Sequence, residues 1–243
     1  MELKVLDSFA AAFSVLGALH LKPPSSSVVK EFLSLSSQWP LPLTPQGEEA
    51  LTELRSSFPD DPSEEDIYEL WADQNQLYGI TGSAQLSPFE SVQRGEDGLV
   101  FDQETIEVRR YYGAMGFQAP HLGKEPDDHI GLEMDFLSKC LLKAADDFAA
   151  GQEAGAKQAL GVAREFSCEH LLCWGPDFFA KGAQLAKTPW LRGISILAGQ
   201  TLSEWQQALL DAGYKLVIAP RQRQSRQGDS LGAVPVELTR RPH

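Results

Sequence analysis

The sequence predicts an all-α fold, a helical bundle with one long loop and a hinge, and three observations carry that prediction. Apolar residues recur at spacings of three and four along nearly every segment and almost nowhere alternate at two, the pattern of helices that bury one face. The breaks between segments open with helix-start chemistry, a Thr followed by Pro or a Ser followed three positions on by an acid. Apolar residues make up 42% of the 243 positions, enough for a sizeable core.

The elements follow in order. A first helix is expected over residues 2–20, where Leu6, Phe13 and His20 repeat at helical spacing. Its apolar run after Lys4 has the look of a secretion signal, but Glu2 offsets the lysine and Asp7 interrupts the run, so a core helix is the better reading. No stretch reaches the ~18 uninterrupted apolar residues of a membrane span, and no stable membrane insertion is expected. Further helices are expected over 26–38, over 46–58 behind the cap Thr44-Pro45, and over 63–78, where Ser63 and Asp66 form a capping box ahead of Ile67, Leu70 and Trp71. Residues 79–98 read as a long loop punctuated by Gly, Ser and Pro, holding Leu86, Phe89 and Val92 without a helical stripe.

A helix over 102–116 then leads to a hinge at 117–126. The next helix, 127–150, carries a stripe of Ile130, Met134, Leu137 and Leu141 widened by Leu132, Phe136 and Cys140. Helices over 153–173, 176–186 and 189–212 complete the set, the last behind Thr188-Pro189. Residues 1–213 thus read as one helical domain, in two lobes if the hinge divides it. Residues 214–243 read as a disordered tail, in which Arg221, Arg223, Arg226, Arg240 and Arg241 outnumber Asp229 and Glu237.

Net charge is −13 and the isoelectric point about 4.8, so the chain lacks the basic face that a nucleic-acid binder needs. Because the tail is basic, the helical body is more acidic than the total. Cys140, Cys168 and Cys173 are too few for a disulfide scaffold and fit a reducing, cytoplasmic setting. No phosphate-binding Gly-rich loop, dinucleotide fingerprint or Gly-x-Ser-x-Gly elbow is present, and no cofactor is implied.

The densest chemistry lies in Glu125-Pro126-Asp127-Asp128-His129. Pro126 disfavours helix before it, and Asp127 or Asp128 would accept amide hydrogens at the start of the helix that follows. That leaves His129 unexplained. A carboxylate and an imidazole at an exposed helix start would also receive a cation such as arginine. The alternative is a metal-dependent hydrolase using Asp127, Asp128 and His129 with Glu133 one turn on. It is weakened by the lack of a second His or Cys at ligand spacing nearby. Cys168, His170 and Cys173 fan across different helix faces and read as packing. Trp71, Tyr111, Tyr112 and Trp174 read as core, whereas Tyr78 and Phe89 bracket the long loop and suit a groove.

Three stretches, in order, resemble the TorD/DmsD family of chaperones for twin-arginine-exported molybdoenzymes: LYGITGSAQLSPFESV at 77–92, VRRYYGAMGF with EPDDHIGLEMDFLSKCL within 108–141, and FSCEHLLCWGPDFF at 166–179. Glu-Pro-x-Asp-His ahead of an apolar helix is the most specific element. The resemblance implies an all-helical, non-enzymatic cytoplasmic protein without a cofactor. Its partner would be the twin-arginine signal peptide of a precursor of a molybdenum-containing oxidoreductase, bound until that enzyme matures. Carried over residue by residue, the leader-peptide-binding set is Leu77, Tyr78, Pro88, Phe89, Pro126, Asp128 and His129, to which the adjacent acid adds Asp127; Asp128 follows the motif and is expected to matter more. Tyr78 replaces a common Phe, and the Arg-rich tail is a further departure. The residue chemistry agrees, because a leader with arginines ahead of an apolar stretch needs carboxylates beside an apolar groove, and an acidic body speeds its encounter. The hinge would permit a homodimer by domain swapping.

Overall fold

The computed structural model describes residues 2–59, 61–79, 83–95, 98–123 and 125–221. It is all-α, and among the described residues the only extended pairings are two isolated bridges, Phe89 with His129 and Leu122 with Glu125. The helices are α1 Leu3–Leu21, α2 Ser26–Leu35 with a 3-10 turn after it, α3 Pro45–Ser57, α4 Glu64–Tyr78, α5 Glu90–Arg94, α6 Gln103–Ala114, α7 Ile130–Ala149, α8 Glu153–Phe166, α9 Leu172–Leu185 and α10 Pro189–Asp211. A single π turn, Ser167–Leu171, joins α8 to α9.

The expected caps form. Thr44 accepts from the Gly47 amide at 3.2 Å and Thr188 from the Leu191 amide at 3.3 Å. At α4 the Ser63 amide donates to Asp66 at 2.7 Å while the Asp66 amide donates to Ser63 Oγ at 3.1 Å, so two otherwise unpaired amides are met reciprocally. Gly79 then ends α4 in the left-handed region at φ 74°, where a side chain would be strained.

Burial follows the predicted faces. Leu6, Phe13 and His20 of α1 are all fully buried, as are Ile130, Met134, Leu137 and Leu141 of α7. By length and composition α1 could cross a membrane, but half of its apolar window is buried in the bundle, with Phe9 and Phe13 set edge-on against Trp205 of α10. α7 is the central element, with α1 lying along one side and α8 along another, while α10 carries α9 and α3. The α1–α7 crossing is closed by two glycines. A Cβ on Gly17 would stand 2.8 Å from the Gly131 carbonyl oxygen, and one on Gly131 would stand 2.6 Å from that of Gly17. Backbone meets backbone there, with no flexible side chain to give way.

Three expectations need correction. The loop 79–98 contains the short helix α5, whose first amides are held by other segments rather than by any periodic stripe of its own. The break expected between 173 and 176 is absent: α9 runs through Pro176, because Trp174, Phe178 and Phe179 bury together and hold that turn in place. The disorder expected from 214 is not what residues 214–221 show. Residues 214–221 run extended against the body, with the Ala219 amide donating to the Cys168 carbonyl at 2.9 Å, and the rest of the predicted tail lies outside the described residues.

Gly17→Ala or Gly131→Ala should lower the unfolding free energy by about 1–3 kcal/mol, the range for overpacking. Gly161→Ala should raise it by about 0.5–1 kcal/mol, since a Cβ there, in mid-helix, meets nothing within 4 Å. Urea denaturation of the three variants checks both signs.

Candidate functional site

The segment Pro126-Asp127-Asp128-His129 enters α7 antiparallel to Pro88-Phe89-Glu90. The Glu90 amide donates to the Asp128 carbonyl at 2.9 Å and the Ile130 amide to the Pro88 carbonyl at 2.8 Å, which closes the Phe89–His129 bridge. This settles how the first turn of α7 is satisfied. Ile130 donates to Pro88, Gly131 to His129 Nδ1 at 3.0 Å, and Leu132 and Glu133 to the His129 carbonyl. His129 is therefore the cap, and the expectation that Asp127 or Asp128 caps the helix is corrected. The bridge turns both carboxylates inward, away from those amides.

Both carboxylates are fully buried and engaged. Asp128 accepts from the Ser91 amide at 2.7 Å and from Thr105 Oγ1 at 2.6 Å, one bond on each oxygen. Asp127 accepts from Arg109 of α6, from Nε at 2.5 Å and from Nη2 at 3.4 Å, and its carbonyl receives the Tyr112 hydroxyl at 3.1 Å. The two differ in what lies beyond them. The partners of Asp128 are interior, whereas the Arg109 side chain is 41% exposed, so the Asp127 pair reaches solvent at one end.

Of the other expected site residues, Leu77 and Tyr78 are buried at the end of α4, and Pro88 and Pro126 are buried beside the bridge. Tyr78 Oη lies 2.6 Å from His20 Nδ1. Because His20 Nε2 faces the Ile194 carbonyl at 3.4 Å, its proton sits there and the Tyr78 hydroxyl donates to Nδ1. Phe89 and His129 are the two that remain partly open to solvent, their rings set edge to face at 5.2 Å. The surface left by the predicted set is thus an aromatic and imidazole edge beside the Arg109–Asp127 pair.

Burial holds both imidazoles neutral. His20 is lowered to about 4 by burial, against which the Ile194 carbonyl works only partly. His129, although one edge of it reaches solvent, is lowered to about 3 by burial of the rest of the ring and by the neighbouring His20, consistent with an Nδ1 that accepts a hydrogen bond.

Beneath the edge lies a second layer that the sequence reading missed. Glu90, Glu133 and His170 are fully buried and Arg94 is 2% exposed. The Glu90 carboxylate joins Arg94 through one oxygen and His170 Nδ1, at 2.8 Å, through the other. Glu133 accepts from Trp174 Nε1 at 3.3 Å, while its second oxygen finds no donor. Burial and the nearby Glu90 and Asp128 carboxylates push Glu133 well above the usual carboxylate range. The available signal was that Glu90 and Arg94 stand four apart in the long loop.

Among the described residues no three His, Cys, Asp or Glu side chains come together as metal ligands. Arg109, Ser91 and Thr105 occupy the carboxylates that the metal-dependent hydrolase alternative needs, and that alternative has no support.

Residues 42–180, which contain Leu77 to His129 and the Glu90–Arg94–Glu133–His170 layer, match the family described as nitrate reductase delta subunit. The chain belongs to that family, the one that holds the TorD and DmsD chaperones. It is 28% identical over 210 residues to the Tat proofreading chaperone DmsD of Salmonella typhi, covering 84% of this chain and 92% of the relative. It is 30% identical over 116 residues to the chaperone protein TorD of Vibrio parahaemolyticus, covering 48% of this chain and 53% of the relative. The TorD protein of Vibrio cholerae is 29% identical over the same length. Within the matched region, Asp128 has an interior role, bonded to Ser91 and Thr105.

Two outcomes follow. Asp128→Ala leaves a buried amide and a buried hydroxyl unmet and should cost about 2–4 kcal/mol of stability, whereas Asp127→Ala should cost about 1 kcal/mol because Arg109 can turn to water. Chemical denaturation compares them. Glu133 binds its proton more tightly folded than unfolded, so it takes stability away as pH rises above 4.5; His20 does the reverse, its neutral form favouring the fold above 6.5 and losing stability as pH falls toward about 4. Glu133→Gln, which keeps an acceptor for Trp174, should therefore be more stable than the parent at neutral pH by about 1 kcal/mol or more and should flatten the alkaline side of a stability–pH curve.

Proposed function

We propose that the protein is a cytoplasmic chaperone that binds the twin-arginine leader of a molybdenum-enzyme precursor and holds the precursor through maturation. The observation that carries this reading is that the family's Glu-Pro-x-Asp-His motif folds against the long loop, so that Phe89 and His129 form a partly exposed edge beside the Asp127–Arg109 pair. The apolar part of a leader meets Phe89, and its arginine meets Asp127. Asp127 is the better receiver of the two acids, because Arg109 can swing outward and yield the carboxylate, whereas releasing Asp128 would unmake the bridge. Arg109 thus holds the place of a leader arginine with the same bidentate geometry. The acidic body draws a basic peptide toward this edge. The connection between α6 and α7 is where two copies would exchange helices if the protein dimerises by swapping.

Calorimetric titration with a synthetic twin-arginine leader should show micromolar or tighter binding, weaker by about tenfold for a twin-lysine version that cannot form the fork. Asp127→Asn should weaken leader binding by about 1.5–3 kcal/mol, while Arg109→Gln should leave it equal or tighter. Absence of binding across several leaders would overturn the proposal.

A further inference from the structure

The extended segment 214–221 lies outside the residues that match the family, yet it reaches the second layer of the site. Its anchor is Arg94 of α5. The guanidinium donates through Nε to the Arg221 carbonyl at 3.1 Å, through Nη2 to the Pro220 carbonyl at 3.1 Å, and through Nη1 to the Glu169 carbonyl at 2.9 Å and to the Glu90 carboxylate. Two of these acceptors belong to the segment and one to the π turn. The π turn also presents the Cys168 carbonyl, which receives the Ala219 amide. Arg221 adds an ion pair to Asp177 of α9 and lies 3.5 Å from Gln93 of α5.

Apolar contact is limited to Tyr214 and Leu216, which pack partly buried against the core, while Val217 is 74% exposed and Ile218 36% exposed. The rest of the hold is hydrogen bonds, an ion pair and the stacking of Arg164 over Tyr214 at 5.4 Å, contacts that can open without unfolding the core.

We infer that residues 214–221 act as a strap that sets the position of α5 through Arg94, and through α5 the Phe89–His129 edge. Each link is a direct contact. The strap carbonyls hold the guanidinium, the guanidinium holds Glu90, and the Glu90 amide is bonded to the Asp128 carbonyl one residue from the bridge. With the strap in place a buried charge has the donors and acceptors it needs. With the strap gone, two N–H groups of that charge lose their acceptors, and α5 must shift to reach water. Arg94 is a positioning residue and does not itself meet the leader.

The inference rests on the proposed leader site for its functional half, and its test separates the two. Three proteins are compared: the full chain, a chain ending after Arg221, and a chain ending after Gly213. Leader affinity is read by titration and local opening by hydrogen exchange at the Glu90 and Ile130 amides. Ending after Gly213 should weaken leader binding about tenfold, within the range for coupled sites, and speed exchange at those two amides, with core amides of α1 and α10 unchanged. Ending after Arg221 should leave both readouts as in the full chain. Arg94→Lys in the full chain keeps the charge but not the fork, and should move both readouts in the same direction without loss of the strap. Exchange at Glu90 and Ile130 that is indifferent to removal of the strap overturns the inference, as does an equal loss on ending after Arg221. If the full chain binds no leader, the proposed function fails while the exchange rates still judge the strap.

Discussion

A carboxylate taken out of water must be met by donors, and the architecture around the site depends on how Asp128 meets that condition. Its two oxygens take an amide from α5 and a hydroxyl from α6, while its backbone carbonyl takes a second amide from α5. Two helices, α5 and α6, are thereby drawn to one residue at the entrance to α7. α5 is five residues of mostly polar character, too short to persist in isolation. On the other side of the same entrance, the Gly17–Gly131 crossing presses α1 onto the first turn of α7. The start of α7 is clamped between a backbone contact and a buried charge, and the Phe89–His129 edge inherits its position from both.

Below that edge the charges must be balanced as well as bonded. Glu90, Glu133 and Asp128 lie within reach of one another, and the buried cation among them is Arg94. Glu90 has Arg94 and His170; Glu133 has the Trp174 N–H. Burial, with the Glu90 and Asp128 carboxylates close by, raises Glu133 well above the usual carboxylate range. A buried network of this kind contributes less to net stability than an apolar core of equal volume would. What it supplies is a single arrangement of α5, since any shift strands a charge. An arginine suits position 94 better than a lysine because its planar fork meets one carboxylate and three carbonyls at once.

The helices were legible because each has a stripe and most have a cap. Leu6, Phe13 and His20 or Ile130, Met134 and Leu137 announce a buried face by spacing alone, and Ser63 with Asp66 announces a helix start by chemistry. The helix α5 was not legible, since Glu90-Ser91-Val92-Gln93-Arg94 has no stripe and takes its shape from Asp128 and Arg94. The motif at 125–129 could be located but not oriented. Two acids before a helix look like caps, and only the pairing with Pro88-Phe89-Glu90, some forty residues earlier in the sequence, turns them inward. Tyr78, read as suited to a groove, is buried by His20 of α1 and Phe178 of α9, partners that its place beside the loop does not reveal. The strap was illegible because what it offers Arg94 and Cys168 are backbone carbonyls and an amide, which carry no side-chain signature.

The motif divides its labour residue by residue. Asp128 works for the fold, Asp127 stands between fold and surface through a partner that reaches water, and His129 serves both as helix cap and as part of the open edge. Capping fixes the charge of that edge. An imidazole whose Nδ1 accepts from the Gly131 amide cannot carry a proton there, and burial beside a second histidine reinforces the neutral form. A protonated His129 would repel any guanidinium approaching Asp127. In the proposed role, a neutral His129 would leave the Asp127 carboxylate as the dominant charge for an arriving arginine once Arg109 had moved aside, with its ring free to pack against apolar side chains beside Phe89. The same hydrogen bond that starts α7 therefore keeps the surface above it receptive to a cation.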